Sequence, residues 1–374
     1  MSAAKIIAVE ARVFRAPLKK TFKIALGEIS SAETVIVRLS TDDGRFGYGE
    51  ASPYQPVTGD SVADALGFIN HTMGPQLTGR EADGIGVIHC AMDAVCMRLN
   101  ATNTPGRAGI DIALYDLASQ RAGMPLYRFL GGADPCVYSD YTIALAAPGD
   151  MAQAALQAVQ AGFEMLKIKA GLDAEQDVEN LRAIRRTVGS RVRLRLDANQ
   201  GWNEASAVKA LNAVADLDIE EAEQPLSAND LAGLARLRAQ VPQPIMLDES
   251  VHSPVNALRA VDAKAGAMIN IKLMKSAGLL PALKINAIAE AAGLPCMVGC
   301  MMETRIGIAA GAHLVASQPN IRFADLDSHL EIAQQNVVTG GFAQTGGVIK
   351  LSETPGLGVS VDFDALDWKR QQSS

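Results

Sequence analysis

Three carboxylates, Asp197, Glu223 and Asp248, and three lysines, Lys167, Lys169 and Lys272, are spaced so that a folded chain can gather them into one site. Each acid closes a short strand-like stretch, in VRLRLDANQ, EEAEQPL and PIMLDES, so three successive strands would end on a carboxylate. Three carboxylates brought together repel strongly unless a cation sits among them. An all-oxygen donor set, with no histidine or cysteine beside it, favours a hard ion, Mg²⁺ before Mn²⁺ or Ca²⁺. The competing assignment is that each acid caps the helix after its strand. That is ordinary for one of them and hard to sustain for three in a row. Lys167 and Lys169 are two apart, so in a strand both point to the same side. Solvent is the commonest destination of a lysine at a strand end, and Lys275, a turn beyond Lys272, is expected to go there. A lysine acting as a base must be neutral, and lowering its pKa from about 10.4 to about 7 takes about 4–5 kcal/mol of differential interaction. A Mg²⁺ ion and the second ammonium of a Lys-x-Lys pair are perturbers of the right sign. The chemistry that matches is removal of a proton beside a carboxylate, with Mg²⁺ stabilising the enediolate and lysine taking the proton.

The elements that must position these groups show in the rhythm of the chain. After Pro135, short apolar strands alternate with alanine-rich amphipathic segments: YSDYTIAL, MLKIKAG, VRLRLDANQ, EEAEQPL, PIMLDES, AMINIKLMK, PCMVGCMME and RFADLDS. Eight strands with intervening helices are what a closed (β/α)8 barrel requires, and no GxGxxG follows a first strand to favour an open sheet. Polar residues at successive strand ends, Lys167, Asp197, Glu223, Asp248, Lys272, Cys300 and Asp325, are 30, 26, 25, 24, 28 and 25 residues apart, each about one βα unit. A barrel's active site lies on the face those ends form. In a ring of eight, the second strand (Lys167, Lys169) faces the sixth (Lys272), so a substrate on the metal would meet a lysine on each face.

Before the barrel, IIAVEARVF, ETVIVRLST and GRFGYGEA read as antiparallel strands, with a turn at Asp42-Asp43-Gly44. The pattern then turns helical, and AGIDIALYDLASQRAG stops at Gly123. The expected organisation is an α/β chain with an α+β capping domain over residues 1–132 and a barrel over 133–344. The segment from about 345 to 374 is expected to pack back against the cap. The 374 residues carry 34 basic and 41 acidic side chains, a net charge of −7, which gives no electrostatic reason to expect nucleic acid or an anionic membrane as partner. The five cysteines (Cys90, Cys96, Cys136, Cys296, Cys300) include no CxxC, arguing against structural zinc or a disulfide framework. With no signal peptide and no apolar run long enough to span a bilayer, a soluble cytoplasmic protein is expected.

KIK at 167–169, DAN at 197–199, EQP at 223–225, DES at 248–250 and NIKLMKSAG at 270–278 together resemble the muconate-lactonizing branch of the enolase superfamily, over nearly the whole chain. The resemblance implies an enolase-like, modified TIM barrel under a capping domain that includes GYGEASP and the helix ending in MPLYRFLGG. It implies Asp197, Glu223 and Asp248 as ligands of one Mg²⁺ per subunit, Lys169 and Lys272 as the two acid/base groups, and Lys167 touching the substrate carboxylate. It also implies a homo-oligomer. The histidine base of the mandelate racemase branch has no counterpart among His71, His89, His252, His313 and His329.

The eighth strand ends in FADLDS, with Asp325 and Asp327 on one face. Two carboxylates at a pocket rim suit a substrate ammonium group, and they resemble the DxD signature of the dipeptide epimerases. Capping of a final helix is the alternative. CMVGCMMET (296–304) is similar to the same group, which implies Cys300 and Met302 as pocket walls, with Thr142 as a further contact. The implied reaction is inversion of the α-carbon of a dipeptide's C-terminal residue by 1,1-proton transfer, two bases serving the two faces. Relatives acting on Ala-Glu carry an arginine where this chain has Gly27, and the segment 52–60 offers Tyr54 and Gln55 but no base, so small or apolar dipeptides are expected. Lys19, Lys20 and Lys23 keep an acidic substrate open. On the same scaffold the rivals are N-acylamino acid racemase, o-succinylbenzoate synthase and muconate cycloisomerase. A Schiff-base aldolase would need the strand-six lysine but not the acids, and a metal-dependent dipeptide-binding protein would not need lysines on both faces.

Overall fold

The computed structural model describes residues 4–366. Three antiparallel strands, β1 (Ile6–Ile24), β2 (Gly27–Thr41) and β3 (Phe46–Ala51), form the cap sheet in the order β1-β2-β3. The turn at Asp42-Asp43-Gly44 closes with Thr41 N–H donating to Arg45 O at 3.1 Å, and Gly44 takes φ +79°. Helix Thr104–Arg121 lies on this sheet backbone to backbone. A Cβ at Gly49 would meet Gly109 O at 1.9 Å, so the strand can approach only as glycine.

The barrel begins after β4 (Cys136–Tyr138). Its strands are β5 (Tyr141–Ile143), β6 (Met165–Lys169), β7 (Arg193–Asp197), β8 (Ile219–Glu223), β9 (Ile245–Leu247), β10 (Met268–Lys272), β11 (Cys296–Gly299) and β12 (Ile321–Asp325), parallel and adjacent in chain order. The ring meets itself at a parallel bridge between Ser139 and Ala324, with Asp140 N–H donating to Ala324 O at 3.2 Å. Alternation along the strands divides the side chains. Leu166, Ile168, Leu194, Leu196, Ile269 and Ile271 are buried against the outer helices. The alternate positions fill the ring, and there the charged residues lie. Register sets their height: Lys169 pairs with Asp197 and Asp197 with Glu223, while Lys272 pairs with Gly299 and Gly299 with Asp325.

A helix follows each of the first seven barrel strands, but only a 3-10 turn, Ser328–Glu331, follows β12. Among the described residues four short strands follow: β13 (Val338–Gly340), β14 (Phe342–Thr345), β15 (Val348–Leu351) and β16 (Val359–Val361). β15 pairs with β4 and β14, whereas Leu357 N–H donates to Asp116 in the cap helix at 2.7 Å and Arg12 of β1 donates to Phe363 O at 2.8 Å. The part of the C-terminal segment from 367 to 374 lies outside the described residues. Among the described residues no helix is long and apolar enough to cross a membrane. All five cysteines are free thiols.

Candidate active site

Helix capping does not explain the acids at the strand ends. The helices after β7, β8 and β9 are capped by Asn203, Asp230 and Ser253, whose side chains accept first-turn N–H groups. Asp197, Glu223 and Asp248 instead point into the ring, each at most 1% exposed. Ammonium groups surround them. Lys167 Nζ lies 2.7 Å from Asp325, 2.9 Å from Glu223 and 3.1 Å from Asp197. Lys169 donates to Asp197 at 2.6 Å and to Asn199 Oδ1 at 3.0 Å, and Lys272 lies 2.8 Å from Asp248.

This arrangement sets the ionisation of each group. Burial works against the charge on Asp197 and Asp248, but the neighbouring lysines prevail and hold both carboxyls below the usual range, Asp248 well below. Burial and the charge of Asp197 push Glu223 up to about 7. Lys272 lies opposite to the neutral state that a base requires, and Lys167 shares its direction. Their pKa values are raised, because the surrounding carboxylates outweigh the burial that would lower them. The Lys167 ammonium opposes the rise at Lys272 without reversing it, so Lys272 holds its proton while the lysines alone neutralise Asp248, Glu223 and Asp197.

Lys275 also differs from the sequence-based reading. It is fully buried. Its ammonium ion-pairs with Asp248 and reaches Asn270 O at 3.2 Å and Val251 O at 3.3 Å. Asp248 is thus held between two lysines.

A cavity of about 350 Å³ lies between the strand ends and the cap. Lys169, Lys272, Asp248, Asp325 and Asp327 line its barrel side, together with Thr142, Cys300 and Met302. Asp197, Glu223 and Lys167 lie beneath the lining. Lys167 is only 1% exposed and does not reach the cavity surface. On the cap side, Phe22, Ile24, Leu26, Ile29, Val57 and Val62 give an apolar wall, joined by Tyr54, Glu28 and Glu33. Gln55 lies away from it, and Lys19, Lys20 and Lys23 contribute nothing to it; Lys23 turns to Glu28 at 3.5 Å. None of the five histidines lines the cavity.

Asp325 and Asp327 both face the cavity and neither caps a helix, since the 3-10 turn that Asp327 precedes receives no side-chain cap. They differ in charge balance. Asp325 bonds Lys167, and this pulls its carboxyl below the ordinary range against the effect of burial. Asp327 accepts Thr142 N–H at 2.6 Å, but burial and the charge of Asp325 push it up to about 7.

As they stand, no three acidic, histidine or cysteine groups among the described residues are close enough to share one ion. The donor chemistry nevertheless suits a hard cation: carboxylate oxygens without nitrogen or sulfur. Glu223 Oε2 and Asp248 Oδ1 are buried without a directed hydrogen bond, although each has an ammonium close by. Asp197, Glu223 and Asp248 are the residues present that would hold such an ion.

Several polar residues of the site had no place in the motif reading. Glu249 lines the cavity, accepts from Asn199 at 3.2 Å and is pushed by burial to about 8. Below the strand ends, Arg195 is fully buried and pairs with Asp140 at 2.8 Å and Glu221 at 3.4 Å. Its signal was the period-two alternation of VRLRLD and EEAE, which puts Arg195 and Glu221 on the same side as Asp197 and Glu223.

Comparison with known proteins agrees with this architecture. Residues 150–365 match the enolase C-terminal domain-like model, and residues 7–131 match the mandelate racemase / muconate lactonizing enzyme N-terminal domain. The chain belongs to this family of the enolase superfamily. Among its relatives, the hydrophobic dipeptide epimerase of Enterococcus faecalis is 44% identical over 95% of this chain and 99% of its own. The L-Ala-D/L-Glu epimerase of Bacillus subtilis is 42% identical over 95% and 96%. A structure of the Enterococcus faecalis protein with Mg and the dipeptide L-Leu-L-Tyr superposes with a TM-score of 0.92 at 44% identity, covering 95% of this chain and 99% of that one. A Cytophaga hutchinsonii dipeptide epimerase with Mg and D-Ala-L-Val gives a TM-score of 0.92 at 38% identity, covering 97% of each chain.

Proposed function

We propose that this protein is a Mg²⁺-dependent dipeptide epimerase that inverts the α-carbon of a dipeptide's C-terminal residue by 1,1-proton transfer between two lysines. The observation that carries this reading is the placement of Lys169 and Lys272 on β6 and β10, opposite strands of the ring, both lining one cavity. One lysine Nζ takes the α-proton from one face and the other returns a proton to the opposite face. Two bases are needed because inversion delivers the proton to the face it did not leave. Bound Mg²⁺ supplies positive charge at the substrate carboxylate, which makes the adjacent α-proton more acidic.

Asp197, Glu223 and Asp248 hold that ion, and Lys167 balances the carboxylates from below. Asp325 and Asp327 receive the α-ammonium group, with Thr142, Cys300 and Met302 as further walls. The largely apolar cap side, where Glu28 and Glu33 are paired with Lys23 and Arg15 and no basic residue of the cap lines the cavity, supports small or apolar side chains. A muconate or N-acyl substrate brings no cation to the two rim acids, which favours the dipeptide over the sister activities. The cap is taken as residues 1–132 and the barrel as 133–344, with a homo-oligomer working in the cytoplasm.

Incubating the protein with Mg²⁺ and a mixed L,L-dipeptide library in D₂O tests the reading by mass spectrometry. The expected result is a one-dalton gain in a subset of apolar dipeptides, abolished by EDTA. No gain across the library, with exchange instead in N-acyl amino acids, overturns it.

A further inference from the structure

The loop Cys300–Thr304 supplies three walls of the cavity, Cys300, Met301 and Met302, yet part of what holds it belongs to the cap. Glu50, on β3, is fully buried with its carboxylate against the first turn of helix Arg305–Ser317. It accepts Thr304 N–H at 2.8 Å, the Thr304 hydroxyl at 2.7 Å and Gly307 N–H at 2.8 Å. Two residues on, Ser52 donates its hydroxyl to Met302 O at 2.8 Å. Within the loop, Glu303 accepts Met301 N–H at 2.7 Å. Its other oxygen overlies Gly307, where a Cβ would come within 2.2 Å of it, so a side chain at 307 would displace the Glu303 carboxylate.

The helices after β6, β7, β8 and β9 are capped by Asp173, Asn203, Asp230 and Ser253 of their own loops, and helix Arg305–Ser317 likewise by Thr304, whose hydroxyl accepts Ile306 N–H at 3.3 Å. It differs in that a carboxylate of the capping domain, Glu50, is added to its own cap residue. A second cap carboxylate, Asp111, accepts Leu279 N–H at the start of helix Leu279–Ala291. No residue of that helix lines the cavity. The two cap acids are therefore alike in joining the domains and different in what lies beside them. A carboxylate with three short hydrogen bonds at a helix N-terminus is a strong, directional anchor.

We propose that Glu50 is a positioning residue for the site: it anchors the helix after β11 from the other domain and thereby sets the Cys300–Met302 wall at the height where substrate meets it. The proposal rests on the epimerase reading only for the identity of that substrate. It separates Glu50, whose partner Thr304 closes the loop that supplies the wall, from Asp111, whose bonded turn and helix supply none.

The test compares Glu50→Gln with Asp111→Asn in full-length protein. Steady-state epimerisation is measured on a dipeptide that the wild type accepts, and amide hydrogen exchange is followed over residues 297–308. Glu50→Gln keeps the shape but turns one of the two acceptor oxygens into a donor, which then opposes either Thr304 N–H or Gly307 N–H whichever way the amide lies. It is expected to raise KM about tenfold with kcat little changed, the scale of one charge-assisted hydrogen bond, and to speed exchange at Met301–Thr304. Asp111→Asn is expected to lower the melting temperature and leave KM within about twofold, outside the reach of that hydrogen bond. An unchanged KM and unchanged loop exchange in Glu50→Gln, or an equal rise in KM in Asp111→Asn, overturns the assignment. Should Glu50→Gln not fold, Ser52→Ala removes only the bond to Met302 O. An increase in KM of about threefold is then expected, and none overturns the proposal. A wild type that epimerises no dipeptide sinks the epimerase reading alone, and the exchange measurement still decides whether Glu50 sets the loop.

Discussion

Two layers of buried charge lie one above the other inside the barrel. The upper layer holds Lys169, Asp197, Glu223, Asp248, Lys272 and Asp325 at the strand ends, with the Lys167 ammonium reaching up into it from the level of Arg195. The lower holds Asp140, Arg195 and Glu221, beside Met246, Met297 and Phe323. Both are buried and both mix acids with a base. The base differs. In the lower layer it is a guanidinium that does not lose its proton, stacked over the Phe323 ring at 4.8 Å and fixed to Asp140 at 2.8 Å. In the upper layer the bases are lysines, which can exchange protons, and two of them line a cavity. Buried charge therefore does not by itself mark a site. A titratable base with access to a ligand does.

The sharpest way to break this comparison is to remove one charge from each layer. Asp197→Asn takes a ligand from the proposed cation, and turnover is expected to fall at least about 10³-fold, matching the several kcal/mol a Lewis-acid metal contributes. Isothermal titration should show Mg²⁺ binding lost with it, and an unaffected rate would place the metal elsewhere. Arg195→Met leaves Asp140 and Glu221 buried without their cation. The loss is expected in stability, about 3–5 kcal/mol by urea unfolding, as when one partner of a buried pair is removed. A stable Arg195→Met protein with lost catalysis would make the lower layer part of the site.

A smaller effect sharpens the role of the rim. Asp327, pushed up to about 7 by burial and Asp325, is uncharged below that pH and then attracts an ammonium group less. As pH falls through about 7, kcat/KM is therefore expected to fall while Asp327 takes up its proton. Asp327→Asn should flatten that acid limb and raise KM about 10–100-fold, the scale of a charged hydrogen bond. An acid limb that persists in the variant would assign it to another group.

The difference between the layers also decides what the chain reveals when read as letters. Each upper residue ends a strand, and the βα period of about 25 residues repeats it, so Asp197, Glu223, Asp248 and Lys272 stand out by position alone. Lys275 did not. Nothing in KLMKSAG shows that the short helix Leu273–Ser276 turns inward, or that carbonyls from Val251 and Asn270 wait there for an ammonium. The raised lysines Lys167 and Lys272 and the engagement of Asp325 by Lys167 escaped for the same reason. Pairing across a ring depends on strand register, and register is a tertiary property. The cap sheet and its Asp42-Asp43-Gly44 turn were legible because hairpins are local. The Ser139–Ala324 bridge and the pairing of β15 with β4 were not, since the partners lie about 185 and 210 residues apart.

The central claim, two lysines serving opposite faces of one carbon, is tested most directly by α-proton exchange of each epimer separately in D₂O. The variants to use are Lys169→Ala and Lys272→Ala, with the substrate found in the library. Both variants are expected to lose epimerisation. Each should keep solvent exchange with one epimer only, and the retained epimer should be opposite in the two. A variant that still epimerises at the wild-type rate, or two variants that retain the same epimer, would contradict the account.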